Sequence, residues 1–385
     1  MSGSRPSKVS SFPTRLLSLL LIFALSGVLA ACGGSTGDGE GSTSGESATG
    51  GGSGETTGGS MEQGGETTGG TMEQGGATIE TTGGGEITGG SMESGGIKEV
   101  PVNIQSYTLP GEEVYPEGVV YQESSGDFFV SSTSNGAVFR GTAGEAGSEA
   151  EVFLEGGQDD RSAAIGLALD DDGRLFVSGG ETGRMFVYDT ESGELVDSFQ
   201  SEQEKPFVND VAITPNGDAY FTDSFSPVLY RLAATGDGYE FEEYLNLEGT
   251  PIKYEDGFNL NGIVATGDGQ YLIVTHSTTG QLFRIGTESD EVVEIDLGGG
   301  ELAGDGMVLD GQTLYAVTGS DITTVELSED FASGEMGEVF SSESFKSPTT
   351  IAMYDERLLV VNSQFDARES GNPELPFTVS DVPIP

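Results

Sequence analysis

The chain has 385 residues, of which 64 are acidic and 15 basic, for a formal net charge of −49. Such a surface excludes non-specific nucleic-acid binding, which needs cationic side chains, and attracts cations instead. With one cysteine and one histidine, neither an internal disulfide nor a Cys/His zinc cage can form.

Residues 1–32 read as a targeting segment. Arg5, Lys8 and Arg15 give it a positive start, and the apolar stretch from Leu16 to Ala31 is too short for a comfortable membrane span. Its end, Leu29-Ala30-Ala31-Cys32, resembles the bacterial lipobox. The resemblance implies cleavage before Cys32, lipidation of Cys32, and a protein anchored to the outside of the bacterial cell membrane. An ordinary signal peptide with a chance cysteine is the alternative. Residues 33–97 are Gly, Ser, Thr and Glu, with the ten-residue unit at 56–65 returning at 67–76. So few apolar side chains cannot offset the entropy of ordering, and a disordered, flexible tether is expected.

Residues 98–385 carry alternating strands and turns. The stretch from Val208 to Ser224 holds a polar pair (Asn209-Asp210), an apolar run, a Pro-Asn-Gly-Asp turn and a second apolar run, the pattern of a β-hairpin. Similar stretches begin at Pro116, Ala164, Leu260, Gly304 and Thr349. The steps between the six copies are 48, 44, 52, 44 and 45 residues. Four-stranded propeller blades repeat at this spacing. An all-β, six-bladed β-propeller with four-stranded blades is predicted. One blade is expected to be completed by a chain end, either Asn103–Tyr107 or Phe377–Val382, which would hide sheet edges. No segment has a sustained helical period, so almost no helix is expected outside the leader.

The second residue of each copy should face the central channel. These residues are Glu117, Ile165, Asn209, Asn261, Asp305 and Thr350. Glu117, Asn209, Asn261 and Asp305 supply carboxylates and amides, the hard oxygen donors that suit a divalent cation, best of all Ca2+. Magnesium or manganese fits the same donors, whereas zinc is disfavoured without imidazole or thiolate. The competing reading treats Asn-Asp, Asn-Gly and Asp-Gly as turn dipeptides. The second strand of each hairpin should return to the same face. Its ends place Asp223, His276, Ser320 and Asn362 on the predicted pocket rim. His276 there could serve as an acid or base, or be a histidine with no chemical role.

Pro116–Tyr121, Val208–Ala212, Gly217–Ser224, Asn261–Ile263 and Gly304–Met307 together resemble the senescence-marker-protein/gluconolactonase (regucalcin-like) family. The resemblance covers roughly residues 110–365. It implies a six-bladed propeller with one divalent metal and hydrolysis of lactones or related esters. By the same resemblance Glu117, Asn261 and Asp305 are metal ligands. Asn209 contacts metal-bound water or substrate, and Asp305 doubles as general base. One position departs from the pattern. Phe207 stands where the sugar-lactone members carry an arginine that grips substrate hydroxyls, which points away from a sugar substrate. A non-catalytic propeller that holds calcium for stability, as a sensor or scaffold, is the rival expectation. A metal-free propeller resembling strictosidine synthase is a third.

Overall fold

A computed structural model describes residues 105–384, apart from Ala146, Asp237 and Glu369, together with the backbone of Ile97–Glu99. The leader at 1–32, its Cys32, and the tether up to Gly96 lie outside the described residues. The described residues form six sheets, antiparallel throughout but for one added strand. Each has an inner strand, and in chain order these are Pro116–Gln122, Leu167–Leu169, Val208–Ile213, Leu260–Ala265, Met307–Asp310 and Pro348–Tyr354. Consecutive inner strands touch, and the sixth touches the first. The architecture is therefore a closed six-bladed β-propeller. Among the described residues, helix is confined to Phe365–Arg368 and the 3-10 turn Gln158–Asp160.

The tight turns follow from local chemistry. Asn216-Gly217 joins the first hairpin of blade 3, with Gly217 at φ 89°, a region open to glycine at no steric cost. The equivalent turn of blade 6 uses Asp355 at φ 48°, since Asp tolerates the left-handed region better than most residues.

The second strands explain why the apolar runs are continuous. Side chains alternate between the two faces of a strand, and here both faces are covered by neighbouring blades. Phe128 and Val130 enter the seam between blades 6 and 1, whereas Phe129 enters the seam between blades 1 and 2. Leu272 and Val274 likewise pack against blade 3, and Ile273 against blade 5. Six apolar clusters result, one for each pair of adjacent blades.

Both candidate chain-end segments complete blade 6. Phe377–Pro383 is its third strand, and Gln105–Leu109 pairs antiparallel with it as the outer strand. Blade 5 departs from the four-stranded expectation, because Ile97–Glu99 pairs in parallel with Val339–Ser341 as a fifth strand. The junction in blade 6 is fastened by Asp381, which is fully buried. Its carboxylate accepts from Tyr107 Oη (3.0 Å), Tyr354 Oη (2.5 Å) and Arg357 Nε (2.5 Å). Tyr107 belongs to the N-terminal strand and the other partners to the C-terminal hairpin, so one carboxylate holds both ends of the chain. Removing the carboxylate takes a buried charged acceptor from Tyr107, Tyr354 and Arg357 Nε at once. Asp381→Ala is expected to lower unfolding free energy by about 3 kcal/mol, read as a lower midpoint in urea. An unchanged midpoint would show that strand pairing alone closes the ring.

Candidate functional site

Every inner strand is bulged near its start. In blade 3, Val208 pairs with Asp223 and Val211 with Phe221, leaving an extra residue between them; blades 1, 4 and 6 do the same at Pro116, Leu260 and Pro348. Blades 2 and 5 show the equivalent hydrogen bonds at Ile165-Gly166 and Asp305-Gly306. A bulge re-aims side chains and increases local twist. Here it does so at one register around the whole ring.

The residue after each second position is Gly118, Gly166, Gly262 or Gly306 in four blades. A Cβ at Gly118 would lie 2.4 Å from the Ile165 carbonyl oxygen, and one at Gly262 only 2.1 Å from that of Asp305. Glycine is required because the neighbouring inner strand passes directly over the position. Hydroxyls fasten the same contact. Ser131 Oγ donates to Ile165 O (2.6 Å), Thr222 Oγ1 to Asn261 O (2.8 Å), and Thr349 Oγ1 to Glu117 O (2.8 Å).

This register corrects one assignment. Gly306 N–H donates to Thr349 O, as Gly166 N–H donates to Asn209 O. Thr349 is thus the second-position residue of blade 6, and Thr350 occupies the position that is glycine in most blades. The sixth copy lacks the polar or apolar landmark that sets the others in line, so its alignment slips by one residue.

The ring itself assembles around Glu117, which is buried. Thr350 Oγ1 stands 3.5 Å from its Oε1, and its Oε2 has no hydrogen-bond partner at all. Burial pushes the Glu117 carboxyl well above the usual range, and the charges of Asp305 and Asp210 push it further. Asp305 is raised to about 7 by burial, against a hydrogen bond from Asn261 and with the charge of Asp210 added. Asn261 is buried beside it. Asn209 is also buried, and its Nδ2 donates to Ser224 Oγ at 2.8 Å.

Asp210 was not singled out by the repeat, yet it shares this electrostatic environment. It replaces the third-position glycine in blade 3. Its Oδ2 accepts the Ile263 N–H of blade 4 at 3.1 Å, and its Oδ1 accepts the Val211 N–H at 2.9 Å. Burial nevertheless raises it to about 7, those two backbone bonds notwithstanding. The signal was present as the only carboxylate in a column of glycines.

Three predicted rim residues are instead sealed in the protein. Asp223, His276 and Asn362 are fully buried. They pair with the first residues of the inner strands, Val208, Leu260 and Pro348, and their side chains are taken up by neighbouring strands and loops. His276 donates from Nε2 to the Lys253 carbonyl (2.9 Å) and accepts at Nδ1 from Thr279 N–H (3.3 Å). Asn362 donates to Thr378 Oγ1 and Ser380 Oγ and accepts from Lys346 N–H. Asp223 Oδ1 accepts the backbone N–H groups of Phe207, Phe225 and Ser226, and Oδ2 accepts Tyr230 Oη. Ser320 is exposed in the turn after Thr318.

The carboxylate and amide oxygens are of the hard type that a divalent cation takes. Among the described residues no three His, Cys, Asp or Glu side chains form a cage by themselves, so an ion here would need amide oxygens and waters beside the carboxylates. Glu117 Oε2, buried and without a partner, is the group such an ion would satisfy.

No protein-family model matches the chain, and no curated protein is similar to it in sequence. Solved structures share its fold. A gluconolactonase from Xanthomonas campestris aligns with a TM-score of 0.50 at 15% identity, covering 74% of this chain and 91% of its own. Virginiamycin B lyase from Staphylococcus aureus gives 0.50 at 14% identity, covering 73% and 99%. The major allergen Mala s 1 of Malassezia sympodialis gives 0.55 at 15% identity, covering 72% and 96%. At such identities the likeness defines the propeller class alone.

The raised carboxyls fix the sign of a pH effect. Unfolded carboxyls titrate near 4, whereas Asp210 and Asp305 do so at about 7 in the fold. Between these values the folded chain binds more protons than the unfolded chain, so stability declines as pH rises through the window. In the presence of a chelator, the melting temperature should fall from about pH 5 to about pH 8. The overall negative charge adds a background slope, and Glu117→Gln isolates the ring by making the fall shallower. Equal slopes for the two proteins would contradict this.

Proposed function

We propose that the propeller is a divalent-metal-dependent hydrolase of lactones or related esters, carried outside the cytoplasmic membrane on a lipid anchor at Cys32. The observation that supports the hydrolase reading is the unpartnered Glu117 Oε2 beside Asp305 and Asp210. Glu117, Asn261 and Asp305 would hold the ion, with Ca2+ suiting their hard oxygens. When bound, such an ion polarises an ester carbonyl and acidifies water.

The chain's own residues supply the rest. Asp305 would accept the proton of an attacking water, in company with the ion it helps to hold. The water oxygen bonds to the carbonyl carbon, the acyl C–O bond breaks, and the departing oxygen takes up a proton to leave a hydroxy acid. The hydrogen bond from Asn209 to Ser224 fixes the plane of the amide, which orients it towards water or substrate. A rival reading, a calcium-stabilised binding or scaffold propeller, draws on the burial of His276 and Asp223, which leaves no histidine to assist Asp305.

A panel of lactones and aryl esters, assayed with and without chelator, separates these. Turnover that the chelator abolishes and Asp305→Ala eliminates, together with loss of the retained ion, is the expected result. A large chelator-induced drop in melting temperature with no turnover would favour the scaffold. Cys32→Ser should release the protein from the membrane fraction; unchanged fractionation would remove the anchor.

A further inference from the structure

Phe207, Phe225 and Phe258 form a three-ring cluster at the end of the propeller where the inner strands begin. Their centroids are 5.0 to 5.2 Å apart, with Phe207 edge-on to Phe258 at 87° and Phe225 tilted against both at 51° and 52°. Phe207 is buried, but Phe225 is 39% exposed, so the cluster presents an open aromatic edge. Ile165, the apolar member of the second-position ring, lies beside Phe207 across Gly180.

The cluster adjoins the ring of oxygen donors along the chain. Phe207 lies two residues before Asn209, about 7 Å along a strand. Phe225 follows Ser224, whose hydroxyl accepts from Asn209. Phe258 lies three residues before Asn261.

Two buried polar side chains hold the rings in place. A single oxygen, Asp223 Oδ1, accepts the N–H groups of both Phe207 (2.9 Å) and Phe225 (2.9 Å). Asn259, also buried, donates to the carbonyls of Ser224 and Gly257 and accepts from Glu255 N–H, which closes the loop that carries Phe258. Rings whose backbones are fixed this way lose little entropy when a ligand arrives. An aromatic edge left open to water at a site mouth, braced by buried hydrogen bonds, has the character of a binding wall.

From this geometry we infer that the cluster is an apolar subsite for a flat aryl group, and that the substrate is an aryl-bearing lactone or ester. The inference rests on the hydrolase reading for its reaction, but the subsite itself is a matter of binding. A fourth ring at the Phe225 edge would complete a tilted or edge-to-face set, the arrangement aromatic rings favour. Asp223 thereby becomes a positioning residue for the specificity wall.

Dihydrocoumarin and δ-valerolactone share a six-membered lactone and differ in the fused aryl ring. Their lactams keep the shape and resist hydrolysis, so they report binding alone. Calorimetry should show the aryl lactam binding tighter than the plain one to the metal-loaded protein. Phe225→Ala should weaken the aryl lactam about threefold to tenfold and raise KM for dihydrocoumarin by the same factor, without changing KM for δ-valerolactone. Equal binding of the two lactams, no binding of the aryl lactam, or an aryl affinity indifferent to Phe225→Ala would overturn the subsite. Aryl-selective binding with no turnover of any lactone would leave the subsite standing and reject the hydrolase. Turnover of both lactones with no aryl preference would do the reverse.

Discussion

Buried Glu117 and half-buried Asp210 and Asp305 share one electrostatic environment, and like charges that close resist ionising together without a compensating positive charge. Burial raises all three carboxyls, and the charges of Asp305 and Asp210 add to the shift at Glu117 as that of Asp210 adds to the shift at Asp305. As the carboxyls lose their protons, the proposed function meets the demand for positive charge with a cation. The buried Glu117 oxygen with no protein partner marks where that demand is least met. An unpaired buried carboxylate is costly, so this oxygen is the one a bound ion would satisfy.

The fold enforces this crowding through backbone contact. Glycines at the third position of four blades let the neighbouring inner strand lie directly against them, and hydroxyls from the second strands fasten the seam. Six apolar clusters behind the seam leave the inner strands little freedom to spread. Asp381 then locks the two chain ends into blade 6. Relaxing the carboxylates by widening the channel would therefore break contacts in every blade. The stability of the ring supports the strained electrostatics at its centre, as expected where a functional site departs from local rules.

Much of this was legible in the sequence because a propeller repeats its chemistry along with its length. The spacing of the hairpins, the Asn-Gly and Asp-Gly turns and the doubly apolar second strands lead directly to six blades. Glu117, Asn261 and Asp305 stood out because they share a register. Asp210 hides as one half of a polar pair, although it is the one carboxylate in a column otherwise made of four glycines and Thr350. Thr349 and Thr350 could not be told apart, since two adjacent threonines fit either phase of a bulge. The rim failed for a physical reason. Strand ends return to the right face, but alternation turns Asp223, His276 and Asn362 sideways into buried hydrogen-bond networks. Phe225 and Phe258 sit in loops without repeat symmetry, so only coordinates could bring them to Phe207.

The aromatic cluster and the carboxylate ring divide the work that a small-molecule site requires. One excludes water and recognises apolar shape, while the other concentrates charge. Asp223 and Ser224, adjacent in sequence, serve the two halves separately, Asp223 through the backbones of Phe207 and Phe225 and Ser224 through Asn209.

The most direct test of the shared cation is an anomalous difference map from a crystal soaked in a calcium-mimicking lanthanide near neutral pH. The ring geometry predicts one strong peak within about 2.3–2.6 Å of oxygens from both Glu117 and Asp305, the range for hard-cation ligands. A map with no peak in the channel, or with lanthanide only on the acidic exterior, would contradict it.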